Sequence, residues 1–370
     1  MESVFDHVVV DHVEWCTTDL AAAREWLETG YGFRPWDEES GDDADARRLG
    51  LCSGPDLDTV GRRGGIRVVL TQATAERHPA AHFTGRHGDG VRSVAFGVRD
   101  AAGAFAAAVG RGARPVAEPD TTGGVTRASI EAFGDVVHTF VERPAGVAHA
   151  ADDGRLAKEP HTAPSPPLTS VDHIAVCLGP GGLSPVVDFY QKVLDFQLVF
   201  GERIVVAEQA MNSQVVRSAC GGVTFTLIEP DTARQPGQID AFLADNRGPG
   251  VQHLALTTAD IVGTVRDLRA NGVAFLSTPS TYYDDLARHL GPWHHAVGEL
   301  EELDVLADED SDGQLFQIFT RSRHPRGTFF LEIIERQGAK TFGSGNIKAL
   351  YQAVEEERAR ARRTASGAPE

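Results

Sequence analysis

Apolar and polar positions follow the same order in four segments of this chain. Each segment has a short apolar run, a turn, an amphipathic stretch, a glycine and then further apolar runs such as "GGVTFTLIEP" and "TFFLEIIER". Alternation of apolar residues over a few positions is typical of strands, and recurrence near every 3.6 residues is typical of helices. Each segment therefore predicts a βαβββ unit.

The four units recur at a nearly constant spacing. Aligned on the first strand, the corresponding positions are His12, Ser93, His173 and His253, so the steps are 81, 80 and 80 residues. Internal repetition of this kind marks a structural module that is used several times. The pattern predicts an α+β fold in which four βαβββ modules form two domains.

Two of the predicted helices have local signals at their ends. Ser184 followed by Pro185 predicts the start of the third helix, because serine caps helices and proline is favoured in their first turn. Asp260 predicts the start of the fourth helix, and Gly272 predicts a left-handed residue after it.

Chain length and one compositional break predict the domain organisation. A chain of 370 residues exceeds one typical core, so two domains are expected. The segment "RPAGVAHAADDGRLAKEPHTAPSPPLTS" is rich in Pro and Ala and lacks periodicity, which predicts a connection. We expect an N-terminal domain over residues 1–143, a linker over 144–170 and a C-terminal domain over 171–363, with a disordered tail over 364–370. The last domain is expected to end in a helix capped by Asn346.

Composition argues against several classes of function. Hydrophobic residues make up 41% of the chain and charged residues 24%, which is ordinary for a globular protein. The formal charge of −18 argues against nucleic acid or an anionic membrane as a partner, and no apolar run approaches the roughly 20 residues of a membrane span. The N-terminal residues lack the pattern of a signal peptide, so a cytoplasmic location is expected. The four cysteines form no CxxC pair and are expected to be reduced.

Two histidines at equivalent positions of the repeat indicate a metal site. A single histidine in an apolar strand is as often a core residue as a ligand, but His173 and His253 would converge if their strands are neighbours. Glu332 lies in the apolar run "TFFLEIIERQG", where an unpaired carboxylate would be costly. Two histidines and one carboxylate are the ligand set of non-haem Fe(II) oxygenases, with zinc as the alternative metal.

The N-terminal half lacks this ligand set. Aligning "HTFVERP" with "FLEIIERQ" places Thr139 at the position of Glu332. The first half would then offer His12, Ser93 and Thr139, which cannot hold iron well. We therefore expect one metal site per chain and a scaffolding role for the first half.

Two further cues near the C-terminus are interpreted without a metal. His294 and His295 are adjacent in sequence, and adjacent residues rarely face one ion, so a solvated loop is expected. Glu335 precedes Arg336 and is expected to pair near the surface.

Motifs in the second half resemble one enzyme family. The strands "VDHIAV" and "GVQHLAL", the run "ADEDSDGQLFQIFT" and the segment "FFLEIIERQGAKTFGSGNIKALY" together resemble the 4-hydroxyphenylpyruvate dioxygenase family. The likeness covers nearly the whole chain, and the C-terminal motifs are highly specific. It implies the vicinal oxygen chelate fold, with two open, barrel-like domains. It also implies that His173, His253 and Glu332 hold Fe(II), and that 4-hydroxyphenylpyruvate and O2 are the substrates.

The resemblance implies roles for further residues. By this resemblance, a polar network around the substrate would consist of Ser213, Gln238, Gln252 and Gln317. An aromatic wall would consist of Phe200, Phe330 and Phe342. Gln252 departs from the strand pattern, because simple alternation places it opposite His253. Phe342, the "GSGN" turn and the helix near Asn346 are expected to close the cavity and limit the entry of water. The oligomeric state stays open, with a homodimer as one option.

Three positions bear on the product. The strand that typically reads FPINEP in the dioxygenases is "FTLIEP" here, with Thr226 and Ile228 at the Pro and Asn positions, and Ile347 stands where Phe is usual. These differences resemble the branch of the family that forms (S)-4-hydroxymandelate and CO2, on the route to 4-hydroxyphenylglycine in peptide antibiotics. The alternative is homogentisate, a product of tyrosine catabolism. The double change Ile228→Asn with Thr226→Pro is expected to alter the product.

Two other classes share the βαβββ plan. An extradiol catechol dioxygenase would use the same ligand types, but the segment "FGSGNIKALY" argues against it. A non-enzymatic antibiotic-sequestering protein is usually shorter and needs no convergence of two histidines and a glutamate.

Overall fold

Two curved sheets, one in each half of the chain, organise the protein in the computed structural model. The structure describes residues 3–36, 41–42, 44–54, 65–144, 168–288, 292–343 and 345–349. Helices pack on the sheets, so the predicted α+β class is confirmed.

The N-terminal half contains nine strands and three α-helices within the described residues. The strands are β1 (Val9–Cys16), β2 (Arg34–Pro35), β3 (Gly41–Asp42), β4 (Ala46–Ser53), β5 (Ile66–Ala73), β6 (Gly90–Gly97), β7 (Pro115–Thr122), β8 (Val125–Glu131) and β9 (Val137–Glu142). The helices are α1 (Leu20–Glu25), followed by a π-helical turn (Trp26–Gly30), then α2 (Pro79–His87) and α3 (Ala101–Gly110). The strand order is β2-β4-β5-β1-β6-β9-β8-β7, and β3 pairs with β4.

The C-terminal half repeats this plan with eight strands and five helices in the part of the chain described, and residues 345–349 are also helical. The strands are β10 (Ser170–Cys177), β11 (Gln197–Val206), β12 (Gln209–Arg217), β13 (Thr224–Pro230), β14 (Gly250–Thr257), β15 (Leu306–Asp310), β16 (Gly313–Phe319) and β17 (Phe330–Gln337). The helices are α4 (Leu183–Leu194), α5 (Gln238–Asn246), α6 (Ile261–Ala270), α7 (Ser280–Arg288) and α8 (Val297–Glu302). The strand order is β11-β12-β13-β10-β14-β17-β16-β15.

The order of elements confirms the four predicted modules. The strands β1, β6, β10 and β14 each begin a module, and a helix and a run of antiparallel strands follow each of them. β1 pairs with β6, and β10 pairs with β14, at the centre of each sheet. In the second sheet Ala175 lies opposite His253, and His173 lies opposite Ala255. The repeat therefore brings the two histidine strands side by side.

Each of these first strands contains one extra residue that interrupts the regular pairing. The extra residues are Asp11, Arg92, Asp172 and Gln252, again about 80 positions apart. A β-bulge of this kind bends the strand and re-aims the side chain of the extra residue. The bulges therefore break the alternation that the sequence pattern assumes.

One apolar core joins the two halves. The ring of Phe96 on β6 lies 6.3 Å from that of Phe225 on β13, and both belong to a single buried cluster. Across the same boundary, Nε2 of His138 lies 2.9 Å from the hydroxyl oxygen of Tyr190 on α4. The first half thus packs against β13 and α4 of the C-terminal half, and β13 pairs with β10, the strand of His173.

Three helix ends test the local signals. Asp260 caps α6, because its side chain accepts a hydrogen bond from the backbone N of Gly263 at 2.9 Å, and Gly272 after this helix has a φ of +84°. The predicted start at Ser184 is wrong. α4 begins at Leu183, whose backbone N donates to the side chain of Glu229 at 3.1 Å. A residue distant in sequence caps this helix, which no local signal reveals.

Most of the predicted linker falls in residues 145–167, which lie outside the described residues, as does the predicted tail over 364–370. The predicted domain boundaries stay predictions. The helices among the described residues are all too short or too polar to cross a lipid bilayer.

Candidate metal centre

His173 is buried in the interior of the C-terminal sheet, where β10 presents it. Its Nδ1 lies 2.8 Å from Oδ1 of Asp172, the bulged residue before it. Burial opposes ionisation of this carboxyl, but hydrogen bonds from His173 and Arg336 hold the pKa of Asp172 well below its usual range. A carboxylate can only accept hydrogen bonds, so Nδ1 of His173 carries the proton. Its Nε2 therefore keeps a lone pair that can bind a metal.

His253 points to the same place from β14. Its side chain is buried, and the ring of Phe330 stacks on it at 4.8 Å. Gln252 does not lie opposite it as alternation predicts, because the bulge turns this side chain so that its Oε1 is 3.3 Å from Nδ1 of His253. Burial lowers the pKa of His253, an effect that the neighbouring Glu332 opposes, and the neutral ring is the form that binds metals.

Glu332 completes the group from β17, where its side chain is only 2% exposed. Its Oε2 lies 3.5 Å from Nε2 of His173 and 3.3 Å from Nε2 of His253. Its Oε1 accepts a hydrogen bond from Nε2 of Gln317 at 2.7 Å. Two histidines and a carboxylate that are distant in sequence thus face one point.

The donor set and spacing fit a divalent transition metal. One ligand atom from each of His173, His253 and Glu332 lies within 4.8 Å of the other two. Two ligands of one ion, each at about 2.0–2.2 Å from it, are roughly 3–3.5 Å apart, close to the distances observed here. Imidazole nitrogens with a single carboxylate oxygen suit iron and zinc better than magnesium or calcium. The two alanines opposite the histidines, Ala175 and Ala255, leave room beside the rings.

Arg336 fixes the carboxylate that orients His173. Its Nε and Nη2 donate to Asp172 at 2.7 Å and 2.9 Å, while its Nη1 donates to the backbone oxygens of Ala339 and Thr341. Its guanidinium carbon also lies 5.2 Å from the centre of the Phe342 ring. Arg336 therefore connects the histidine's hydrogen-bond partner to the segment after β17. Sequence reasoning missed Asp172 and Arg336, although the Asp-His pair recurs in both halves.

The N-terminal half keeps this support without the ligand set. Asp11 lies 2.8 Å from Nδ1 of His12, and Arg143 donates to its two oxygens at 2.8 Å and 3.1 Å. At the remaining two equivalent positions, the hydroxyl groups of Ser93 and Thr139 lie 3.0 Å apart. Two hydroxyls that satisfy one another do not replace a carboxylate, as the sequence predicts.

A hydrogen-bond chain leads from Glu332 to the C-terminal segment. Gln317 bonds Glu332, and Nδ2 of Asn346 donates to Oε1 of Gln317 at 2.8 Å. The hydroxyl oxygen of Tyr282 on α7 lies 2.9 Å from Oδ1 of Asn346. The prediction that Asn346 caps the last helix is wrong. Asn346 lies within the helical residues 345–349, and its side-chain amide bonds Gln317 instead of capping the helix. Tyr282 carries no sequence signal, since nothing local marks a contact with position 346.

Aromatic rings lie beside the candidate metal ligands. Phe342 packs edge-on against His173 with 5.0 Å between ring centres, and Phe200 lies 6.4 Å from Phe342. Phe330 stacks on His253 from the other side. The three predicted wall residues are thus brought together with the histidines.

The remaining predicted residues lie on β12, β13 and α5. Thr226 lies opposite Ala175, and Ser213 lies opposite Ile228, all four buried. The hydroxyl oxygen of Thr226 has no hydrogen-bond partner among the described residues. Gln238 begins α5 and is buried.

An apolar cluster lies beyond these strands. It contains Ile228, Cys177, Ile239 and Phe242, and Ile347 packs against it. The two isoleucines that distinguish this chain from the usual dioxygenase pattern therefore meet in one place.

Two expectations about β17 and the neighbouring loop are wrong. Glu335 is buried at 1% exposure and does not pair with Arg336, which binds Asp172 instead. His294 and His295 lie beside Glu335, and only His294 is well exposed, so the loop is not simply solvated. Alternation assigns Glu335 to the face opposite Glu332, but it does not reveal that the start of α6 and His295 cover that face.

Comparisons with known proteins show the family to which this chain belongs. Residues 170–318 and residues 11–129 each match the family described as "Glyoxalase/Bleomycin resistance protein/Dioxygenase superfamily". The 4-hydroxyphenylpyruvate dioxygenase of Yarrowia lipolytica is 32% identical and covers 95% of this chain and 92% of its own length. That of Neurospora crassa is 36% identical, with coverage of 94% and 91%. This chain belongs to the 4-hydroxyphenylpyruvate dioxygenase family.

A solved structure gives a second similarity. A triple mutant of 4-hydroxymandelate synthase from Streptomyces coelicolor is 40% identical, with a TM-score of 0.80 and coverage of 95% of this chain and 98% of that one. Both the recognition of the 4-hydroxyphenylpyruvate dioxygenase family and the predicted vicinal oxygen chelate fold are confirmed.

Proposed function

We propose that this chain is an Fe(II)-dependent dioxygenase that converts 4-hydroxyphenylpyruvate and O2 to (S)-4-hydroxymandelate and CO2. The convergence of His173, His253 and Glu332 is the observation that carries the proposal. The names of the relatives supply the substrate, and the chain's family membership supports the transfer. The product would serve the route to 4-hydroxyphenylglycine that the resemblance implies.

The three ligands suit a ferrous ion. Bound there, Fe(II) would supply the activation of O2 and the chelation of the 2-oxo acid, which side chains cannot provide alone. His173 and His253 would bind it as neutral rings, and Glu332 would reduce the net charge of the site. Asp172 and Gln317 would hold two of these ligands in place through hydrogen bonds of 2.8 Å and 2.7 Å.

The surrounding side chains would place the aromatic ring of the substrate. Phe330, Phe342 and Phe200 form an apolar wall next to the histidines, which suits a phenyl group. The hydroxyl of Thr226, which has no hydrogen-bond partner in the part of the chain that the structure describes, lies on the strand next to that of Ser213. Both hydroxyls would meet polar groups of the substrate. Gln238 and Gln252 are further candidates for this polar network. Phe342 and the segment around Asn346 would exclude water during the reaction.

The preference for hydroxymandelate rests on the apolar cluster at Ile228. An isoleucine offers no hydrogen bond to a substrate, whereas the asparagine usual in the dioxygenases does. Ile347 packs against the same cluster. In one region, therefore, Ile228 lacks the polar group of the usual asparagine and Ile347 lacks the ring of the usual phenylalanine. A preference of tenfold for one reacting carbon needs about 1.4 kcal/mol of barrier difference, which a few lining residues supply.

Homogentisate is the second candidate product. The curated relatives at 32% and 36% identity are named as dioxygenases and would share the ligand set. Only the lining residues, not the metal centre, distinguish the two outcomes.

Product analysis tests the proposal directly. The purified chain is loaded with Fe(II) without oxygen, mixed with 4-hydroxyphenylpyruvate and exposed to O2, and the products are separated by chiral chromatography. We expect (S)-4-hydroxymandelate, with CO2 released in equal amount. Homogentisate as the main product would support the second candidate, and the absence of O2 uptake would contradict both.

A further inference from the structure

A glutamate on a strand holds the start of a helix in three of the four modules. The backbone N–H of Ala101 donates to the side chain of Glu142 at 3.0 Å, and that of Leu183 donates to Glu229 at 3.1 Å. The backbone N–H of Ile261 donates to Glu335 at 2.7 Å. A carboxylate at a helix N-terminus is favourable because it meets both free donors and the helix dipole. This structural role explains Glu335 without any further group.

Glu335 differs from the other two glutamates because two histidines approach it. Nε2 of His295 lies 2.9 Å from its Oε2, and Nε2 of His294 lies 3.9 Å from its Oε1. One ligand atom from each of the three residues lies within 4.8 Å of the others. Capping of a helix requires neither histidine, so their presence calls for another explanation.

The loop that carries the histidines is fixed to the sheet. The backbone N of His294 donates to the side chain of Gln314 on β16 at 2.8 Å, and that side chain donates to the backbone oxygen of Pro292 at 3.0 Å. The ring of His295 packs edge-on against Phe316 at 4.8 Å. These contacts hold both imidazoles near Glu335, so little ordering would be needed on binding.

We propose that His294, His295 and Glu335 form a second metal site that binds Zn²⁺. Two imidazole nitrogens and one carboxylate oxygen are zinc ligands, and one such atom from each of the three residues lies within 4.8 Å of the other two. A small movement of the exposed His294 side chain would bring these atoms to the roughly 3.4 Å expected between ligands of a tetrahedral ion. Gln337 also donates to Oε1 of Glu335, but each carboxylate oxygen has a second lone pair for a metal. His294 is 53% exposed, which leaves the fourth position open to water.

This site is separate from the proposed catalytic centre. Glu332 and Glu335 are three residues apart on β17, so their side chains point to opposite faces of the sheet. A bound zinc would join the loop around His294 to β17 and to the start of α6. The site is therefore expected to add stability and not to take part in turnover. Its existence does not depend on the proposed function.

Counting bound zinc tests the site. We expect about two Zn²⁺ per full-length, metal-free chain by isothermal titration and by elemental analysis after gel filtration, because two groups of three ligands are present. His294→Ala and His173→Ala are each expected to bind about one, and the double variant about none. Zinc is also expected to raise the Tm of His173→Ala but not that of the double variant.

Two controls separate loss of the site from loss of the fold. His82→Ala removes an exposed histidine elsewhere and is expected to leave both equivalents bound. Glu335→Gln keeps an oxygen acceptor for Ile261 but weakens zinc binding at this site at least tenfold, with the fold checked by circular dichroism. A His173→Ala variant that binds no zinc, or a His294→Ala variant that still binds two, would overturn the proposal. Neither result would bear on the product of the enzyme.

Discussion

Asp172 and Arg336, 164 residues apart in the sequence, form a bidentate ion pair with N–O distances of 2.7 Å and 2.9 Å. The same carboxylate accepts the Nδ1 proton of His173. A planar guanidinium fixes both carboxylate oxygens, which in turn fixes the plane and tautomer of the imidazole. The N-terminal half has the same arrangement in Asp11, Arg143 and His12 without a carboxylate ligand.

The first prediction concerns Asp172→Asn. The amide can still bond His173, but it no longer favours the Nδ1–H tautomer or balances the charge of Arg336. Removal of such a partner typically costs about 10–100-fold in metal affinity. We expect a loss of this size in Fe(II) affinity, measured by anaerobic titration, and a changed electron paramagnetic resonance spectrum of the nitrosyl complex.

Asp11→Asn is the matched control for this change. It breaks an equivalent ion pair and an equivalent bond to a histidine in the N-terminal half. We expect it to lower stability while Fe(II) affinity stays within twofold of the wild type, roughly the error of such titrations. Equal losses of metal affinity in both variants would show that Asp172 acts only through the general stability of the fold.

A second prediction addresses the product. Ile228→Asn introduces a hydrogen-bonding group beside the buried cluster that Ile347 also touches. We expect the ratio of homogentisate to hydroxymandelate to rise at least tenfold, equivalent to about 1.4 kcal/mol, and to rise further when Thr226→Pro is added. Ile239→Val changes the same cluster without adding polarity, and its product ratio is expected to match the wild type. An unchanged ratio in the Ile228 variants would remove this position from the control of product.

The sequence predicts the modules well because their signal is redundant. The positions His12, Ser93, His173 and His253 recur at steps of 81, 80 and 80 residues, and each falls in the first strand of a module. Each of the four strands shows alternation and is followed by a helix. Both signals predict the same βαβββ module. Convergence of His173 and His253 follows once two such strands are neighbours, as β10 and β14 are.

The supporting residues are harder to predict because their contacts are not periodic. The bulges at Asp172 and Gln252 move these side chains beside the histidines, whereas strict alternation places them on the other face. Contacts such as Tyr282 with Asn346 join segments 64 residues apart without any repeated spacing. A single sequence contains no signal for a contact of that type.

A third prediction tests the hydrogen-bond chain that ends at Tyr282. Its hydroxyl lies 2.9 Å from Oδ1 of Asn346 and 2.7 Å from the backbone oxygen of Ala307. Tyr282→Phe removes the one hydroxyl proton that lies between these two oxygens and also the acceptor of the Ala307 N–H at 2.9 Å, at a cost of about 1–3 kcal/mol. We expect a loss of that size in the free energy of unfolding in urea and a raised KM for 4-hydroxyphenylpyruvate.

Asp284→Asn, on an exposed position of the same helix α7, is the control and is expected to change neither quantity. If Tyr282→Phe matches the wild type in both measurements, the segment around Asn346 is held by its other contacts.

A fourth prediction concerns acid stability at the boundary between the halves. His138 is fully buried, and Nδ1 donates to the backbone oxygen of Val94 while Nε2 accepts from the hydroxyl of Tyr190. Burial disfavours the charged ring and lowers the pKa of His138 from 6.5 to about 3. Protonation would also place a second donor against the Tyr190 hydroxyl.

Because the folded pKa lies below the unfolded one, the unfolded chain binds the extra proton between about pH 6.5 and about pH 3. The stabilising contribution of the neutral His138 side chain is therefore complete above pH 6.5. It declines as the pH falls from about 6.5 to about 3, by about 1.4 kcal/mol per pH unit. His138→Gln has no such proton to gain. We expect the wild type, measured without metal, to unfold with a larger free energy than this variant at about pH 6. That difference is expected to shrink by about 1.4 kcal/mol between about pH 6 and about pH 5, measured by unfolding in urea. A difference that stays constant with pH would contradict the assignment of this acid sensitivity to His138.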